Sequence, residues 1–80
     1  MDYSKMKIHK LAQVITDDWG AKVNYAAKPY LEAMATLSSI GDYYFMDNGK
    51  MIVAYFLSNA NSWRGDVARE VKKELNKRIK

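Results

Sequence analysis

The stretch Asp42-Tyr43-Tyr44-Phe45-Met46-Asp47-Asn48-Gly49-Lys50-Met51-Ile52-Val53-Ala54-Tyr55-Phe56-Leu57 decides the fold. Two runs of β-prone aromatic and aliphatic residues flank Asn48-Gly49, a pair suited to a type I′ turn because both central residues of that turn need positive φ. This predicts a β-hairpin whose register follows from the turn. Asp47 then faces Lys50, Met46 faces Met51, Phe45 faces Ile52, Tyr44 faces Val53 and Tyr43 faces Ala54. One face of the ribbon carries Tyr43, Phe45, Ile52, Ala54 and Phe56; the other carries Tyr44, Met46, Met51, Val53, Tyr55 and Leu57. A ribbon covered on one side alternates apolar with polar, so two apolar faces leave two accounts. Either helices wrap both faces, or the face with Tyr44, Met46, Met51 and Tyr55 is a partner interface, a homodimer included, since Tyr and Met favour interfaces.

On the N-terminal side, Ile8, Leu11, Ala12, Ile15 and Trp19 fall at i, i+3, i+4, i+7 and i+11, one face of a helix. Asp2 or Ser4 can cap it, and Gly20 ends it. A second helix is predicted between about Pro29 and Ser39, with Tyr30, Ala33, Met34, Leu37 and Ile40 buried and Gly41 closing it; Val23 to Lys28 form its irregular approach, since Pro29 belongs in a first turn. After the hairpin, Ser58 to Asn61 is a polar connection, and Asn61 or Ser62 can cap a third helix with the stripe Val67, Ala68, Val71, Leu75 and Ile79. The expectation is an α+β fold, a single domain over residues 1–80 in the order α, α, β, β, α, with the Asn-Gly hairpin packed on three helices.

Eighty residues, 49% of them hydrophobic with four Gly and one Pro, describe a folded globule. Its margin is thin, because a chain this short buries only about 60% of its unfolded surface. Cysteine is absent, which removes disulfides, thiolate metal sites and a cysteine nucleophile together. The start Met1-Asp2-Tyr3-Ser4 has no basic segment leading into an apolar run, and Met51 to Leu57 is far too short to span a bilayer. These features together predict a cytoplasmic protein.

Chemistry finds little to work with. His9 stands alone on the flank of the first helix, and Asp17 and Asp18, being adjacent, point in different directions and cannot act as a facing acid/base pair. A non-catalytic protein without metal or cofactor is the expectation. Arg64-Gly65-Asp66 spells an adhesion tripeptide, but Gly65 reads better as close packing or an unusual entry into a helix.

Charge is more informative. From Ser62 to Lys80 the chain has seven basic and three acidic residues, so the whole net charge of +4 lies there. On a helical wheel Arg69, Lys72, Lys73, Asn76 and Lys80 share one arc, with Asp66, Glu70 and Glu74 on another. One account is a solvated face matched to the helix dipole, with Glu74 and Arg78 as an i, i+4 pair. The other adds Ser62, Trp63 and Arg64, where backbone N–H groups, a guanidinium and an indole could receive a phosphate and a base. Nucleic acid or a nucleoprotein, bound by Ser62, Trp63, Arg64, Arg69, Lys72, Lys73 and Lys80, is thus the first expected partner.

Pro29-Tyr30-Leu31-Glu32-Ala33-Met34, Tyr55-Phe56-Leu57-Ser58-Asn59-Ala60 and Trp63-Arg64-Gly65-Asp66-Val67-Ala68-Arg69 resemble small proteins encoded by phages and prophages of Gram-positive bacteria. The likeness covers most of the chain and brings no established activity or site residues. It implies a phage protein acting in the host bacterial cell on host or phage machinery, host-defence inhibitors of the anti-CRISPR type among the roles. A mimic of DNA is disfavoured because the chain is basic. The alternative expectation is accordingly a protein-binding inhibitor acting through the Tyr44, Met46, Met51 and Tyr55 face.

Overall fold

The computed structural model describes residues 2–80, so Met1, counted above in a start without a targeting signal, lies outside them. The first helix, α1 (Ile8–Trp19), buries Ile8, Leu11, Ala12, Ile15 and Trp19, the full expected stripe, and Gly20 ends it at φ 61°. Its start is capped differently from expectation. Asp2 accepts the Ser4 N–H at 3.1 Å and caps only a 3-10 turn over Tyr3–Lys5. The Ile8 and His9 N–H groups instead donate to the Ser38 and Leu37 carbonyls at 3.1 and 2.8 Å.

Helix α2 (Lys28–Met34) has Pro29 in its first turn, as expected, but stops short of Ser39. The Ser38 and Ser39 N–H groups donate to the Asp42 carboxylate at 2.8 and 3.1 Å, which closes a loop where the helix was expected to continue. Leu37 is nevertheless fully buried. These two hydrogen bonds hold the Asp42 pKa below its ordinary value of 3.8. A carboxyl with a depressed folded pKa stabilises the fold above the unfolded value and loses that contribution as pH falls through the folded one. Below pH 3.8 the urea midpoint should therefore fall more steeply for the wild type than for Asp42→Ala, which starts lower at neutral pH; parallel curves would remove Asp42 from the stability of this loop.

The chain then forms the expected antiparallel hairpin, but a shorter one. Strands β1 (Tyr43–Tyr44) and β2 (Asp47–Asn48) pair Tyr43 with Asn48 and Tyr44 with Asp47, so the turn is Phe45-Met46 and not Asn48-Gly49. None of the five pairs predicted from an Asn-Gly turn forms. Residues Gly49–Ser58 are a helix, α3, with Asn48 as its N-cap, its Oδ1 accepting the Met51 N–H at 2.9 Å. The reason is visible in burial: Ile52, Val53 and Phe56 point into the core while Met51 and Tyr55 point out, a period of 3.6 and not of 2. The mixed α+β character and the order α, α, β, β, α stand, with an additional helix made from what was expected to be the second strand.

The last helix, α4 (Asp66–Ile79), buries Ala68, Val71 and Leu75. Neither Asn61 nor Ser62 caps it; Gly65 at φ 113° turns the chain into it. Among the described residues nothing beyond its chain neighbours lies within 4 Å of where a Gly65 Cβ would stand, so entry into the helix and not close packing explains that glycine. Arg78 pairs with Glu74 at 2.6 Å, as the spacing predicts, and also donates to the Tyr3 and Ser4 carbonyls at 2.9 and 3.2 Å, clasping the N-terminal turn to α4. One core joins the four helices, with Trp19, Phe56 and Trp63 as its large centre. Among the described residues no helix is long and apolar enough to cross a membrane.

Candidate interaction surfaces

Trp63, expected as a stacking platform for a base, is only 2% exposed. Its ring stacks on Trp19 at 5.8 Å and meets Phe56 edge-on at 6.5 Å, and its Nε1 donates to the Asp18 carboxylate at 2.9 Å. That indole is core and offers no face to a nucleic acid. Spacing along the chain carries no trace of a contact between positions 18 and 63, so the sequence had no signal for it.

Lys72 is likewise withdrawn from the basic arc. Its Nζ donates to the Ala60 and Trp63 carbonyls at 2.7 and 2.6 Å and lies 5.8 Å from the centre of the Trp63 ring. The ammonium thereby ties the α3–α4 connection to α4. Partial burial, aided by the charge of Arg64, lowers its pKa from the ordinary lysine value. Arg69 pairs with Asp66 at 2.8 Å, both well exposed, a contact worth little in water. Ser62, Arg64, Lys73 and Lys80 are exposed, and the three cations form no ion pair among the described residues. Five of the seven predicted anion-binding residues are thus exposed, Arg69 in its weak pair among them, in the company of exposed Glu70 and Asp66.

The second predicted site fares differently. Tyr44, Met46, Met51 and Tyr55 are all exposed, although no ribbon aligns them. Tyr44 and Met46 belong to the hairpin, which runs through the Asn48 cap directly into α3, and Met51 and Tyr55 stand one turn apart on the outer side of that helix. Tyr55 extends the surface to Tyr30 of α2, with ring centres 5.5 Å apart. Tyr43 and Phe45, expected on the opposite face of the ribbon, join the exposed set at 68% and 86% exposure. Among the described residues, Tyr25 is the only exposed large hydrophobic residue outside the segment 43–55.

Phe45 stands out within that set. It is the one non-glycine residue with positive φ among those described, at 57°, and its ring packs only edge-on against Tyr44 at 4.7 Å. A bulky residue in the left-handed region is strained by about 1 kcal/mol or more, and here no burial offsets the strain. No local pattern marks this strain, since a Phe within a β-prone run is expected to be extended.

No three His, Cys, Asp or Glu side chains gather as a metal site among the described residues. Asp17 accepts from Gln13 at 2.9 Å while its neighbour Asp18 serves Trp63, so the two carboxylates do separate structural work. No family model, curated protein or solved structure matches the chain.

Proposed function

We propose that this protein is a non-catalytic binding module that contacts a protein through the aromatic and methionine surface of the hairpin and the outer side of α3. The observation that carries the proposal is Phe45, a large apolar side chain held at positive φ and left in water. Folding gains nothing from it there, whereas a partner surface would bury it. Tyr44 and Met46 flank it in the hairpin, and Met51 and Tyr55 on the outer side of α3 add exposed side chains suited to adaptable contacts. In the phage setting suggested by the sequence, the partner would be a host or phage protein in the bacterial cytoplasm.

The basic helix supports a second reading, contact of Arg64, Arg69, Lys73 and Lys80 with a polyanion. It is the weaker of the two because Trp63 and Lys72 are engaged inside the fold.

One experiment separates them. A photo-crosslinkable phenylalanine analogue at position 45, activated in cells, is expected to yield a covalent adduct with protein that is lost when Met46→Glu and Tyr55→Glu are added. If no protein adduct forms, and the purified chain binds an oligonucleotide with an affinity that falls steeply with salt and drops in Arg64→Ala and Lys73→Ala, the working surface is α4.

A further inference from the structure

The occupant of the hairpin and α3 surface is, we infer, a second copy of this chain, in a two-fold symmetric dimer. This rests on the protein-binding reading of that surface and names its partner. Three observations lead to it: area, charge balance and the placement of one pair of charges.

Tyr43, Tyr44, Phe45, Met46, Met51 and Tyr55 are between 37% and 92% exposed. At roughly 200 Å² for each large side chain in full, they leave about 700 Å² in water. The largest apolar patch on an ordinary monomer is about 300–600 Å², while each half of a standard stable interface is about 800 Å². These six residues alone nearly supply one half of such an interface.

Charge selects the same face. Two copies each carrying +4 repel one another, and they approach at least cost where that excess is absent. Between Ile40 and Ser62 the chain has two acids, Asp42 and Asp47, and one base, Lys50, whereas the excess lies beyond Asn61. An acidic foreign partner would be drawn to α4 and away from this nearly neutral face.

A two-fold contact also requires a surface complementary to itself. Asp47 and Lys50 lie on either side of Asn48-Gly49, between the hairpin tip and Met51. Both are exposed, and neither forms an ion pair among the described residues. With the two patches face to face, Asp47 of each copy meets Lys50 of the other, once on each side of the axis.

Sedimentation equilibrium of the full chain tests this. The wild-type mass is expected to rise from one chain to two with concentration, and Phe45→Gly with Met46→Glu to remain a single chain with an unchanged far-UV spectrum. Asp47→Lys sets like charges together and should weaken the dimer roughly tenfold, and adding Lys50→Glu should restore it. A single-chain mass at every concentration, or a dimer indifferent to all of these changes, overturns the inference. If the wild type stays single while position 45 crosslinks to a different protein, the dimer falls and the protein-binding reading survives. Absence of both removes both.

Discussion

Trp63→Ala is expected to destabilise the protein by about 3–5 kcal/mol, the range for truncating a buried aromatic residue. Three losses coincide at this side chain. The stack on Trp19 and the edge contact with Phe56 disappear, leaving a cavity at the meeting point of α1, α3 and α4. The Asp18 carboxylate loses the Nε1 donor it accepts from at 2.9 Å, and the Lys72 ammonium loses the ring beneath it. Set against a total stability of about 5–15 kcal/mol for a domain of ordinary kind, such a loss leaves little margin. Urea unfolding followed by far-UV circular dichroism measures it. Trp63→Phe retains much of the packing and should cost less, its remaining cost combining the lost hydrogen bond to Asp18 with the smaller ring. A wild-type midpoint for Trp63→Ala would mean that the indole is not part of the core. The consequence for function is direct: any binding lost in Trp63→Ala is lost with the fold and cannot report base stacking.

The second large effect is expected at Gly49. It occupies the first turn of α3, where alanine has the better intrinsic helix propensity by about 1 kcal/mol, so propensity alone predicts that Gly49→Ala stabilises. Sterics reverse the sign. A Cβ at this position would stand 2.8 Å from the Ile40 carbonyl oxygen and 2.9 Å from that of Ser39, both of them backbone atoms that cannot rotate aside. The Gly49 N–H also donates to the Asp42 carbonyl at 2.7 Å, which fixes the helix start against the same loop. Forcing the two segments apart costs about 1–3 kcal/mol, which, less the propensity gain of about 1 kcal/mol, leaves a net loss of up to about 2 kcal/mol. Asn48→Ala, which removes only the cap, should cost about 1 kcal/mol. Urea midpoints of the two variants decide the matter: if Gly49→Ala proves more stable than the wild type, the close approach of the 39–40 loop to α3 is not as described.

Gly49 also shows why this segment carries a hairpin signal and yet forms a helix. Asn-Gly between two apolar runs is a strong hairpin signal, yet Asn is equally a preferred N-cap and Gly is equally needed where two backbones approach closely. The pattern had one discordant note, the run Met51 to Leu57 being apolar at every position. Such a run cannot separate a strand from a buried helix by period. Where the pattern is strictly periodic, in α1 and α4, every residue of the predicted stripes is buried or packed against the core. The end of α2 was hidden because it comes well before Gly41: the Thr36 and Leu37 N–H groups turn back to the Ala33 and Met34 carbonyls, and Asp42 then holds the loop that follows.

The candidate sites were legible to different degrees for the same reason. For Tyr44, Met46, Met51 and Tyr55 the two apolar faces left covering helices and an interface equally open, and the fold leaves these four exposed even though strand becomes helix. The engagement of Trp63 and Lys72 depends on contacts with Asp18 and with the Ala60 and Trp63 carbonyls. No local pattern encodes those contacts.

The capping of α1 by the carbonyls of Leu37 and Ser38 bears on how the protein can fold. A helix capped by its own side chain can begin to form as an isolated peptide, but α1 borrows its cap from a distant loop, and that loop is shaped by Asp42 and pressed against α3. Helix nucleation is already unfavourable, and here it lacks its own terminus until the middle of the chain has arrived. The first helix in sequence is therefore not expected to assemble as an autonomous unit. Its opening turn, ordinarily the part of a helix that frays, is held as firmly as the loop beside it and should come apart only when the tertiary structure does.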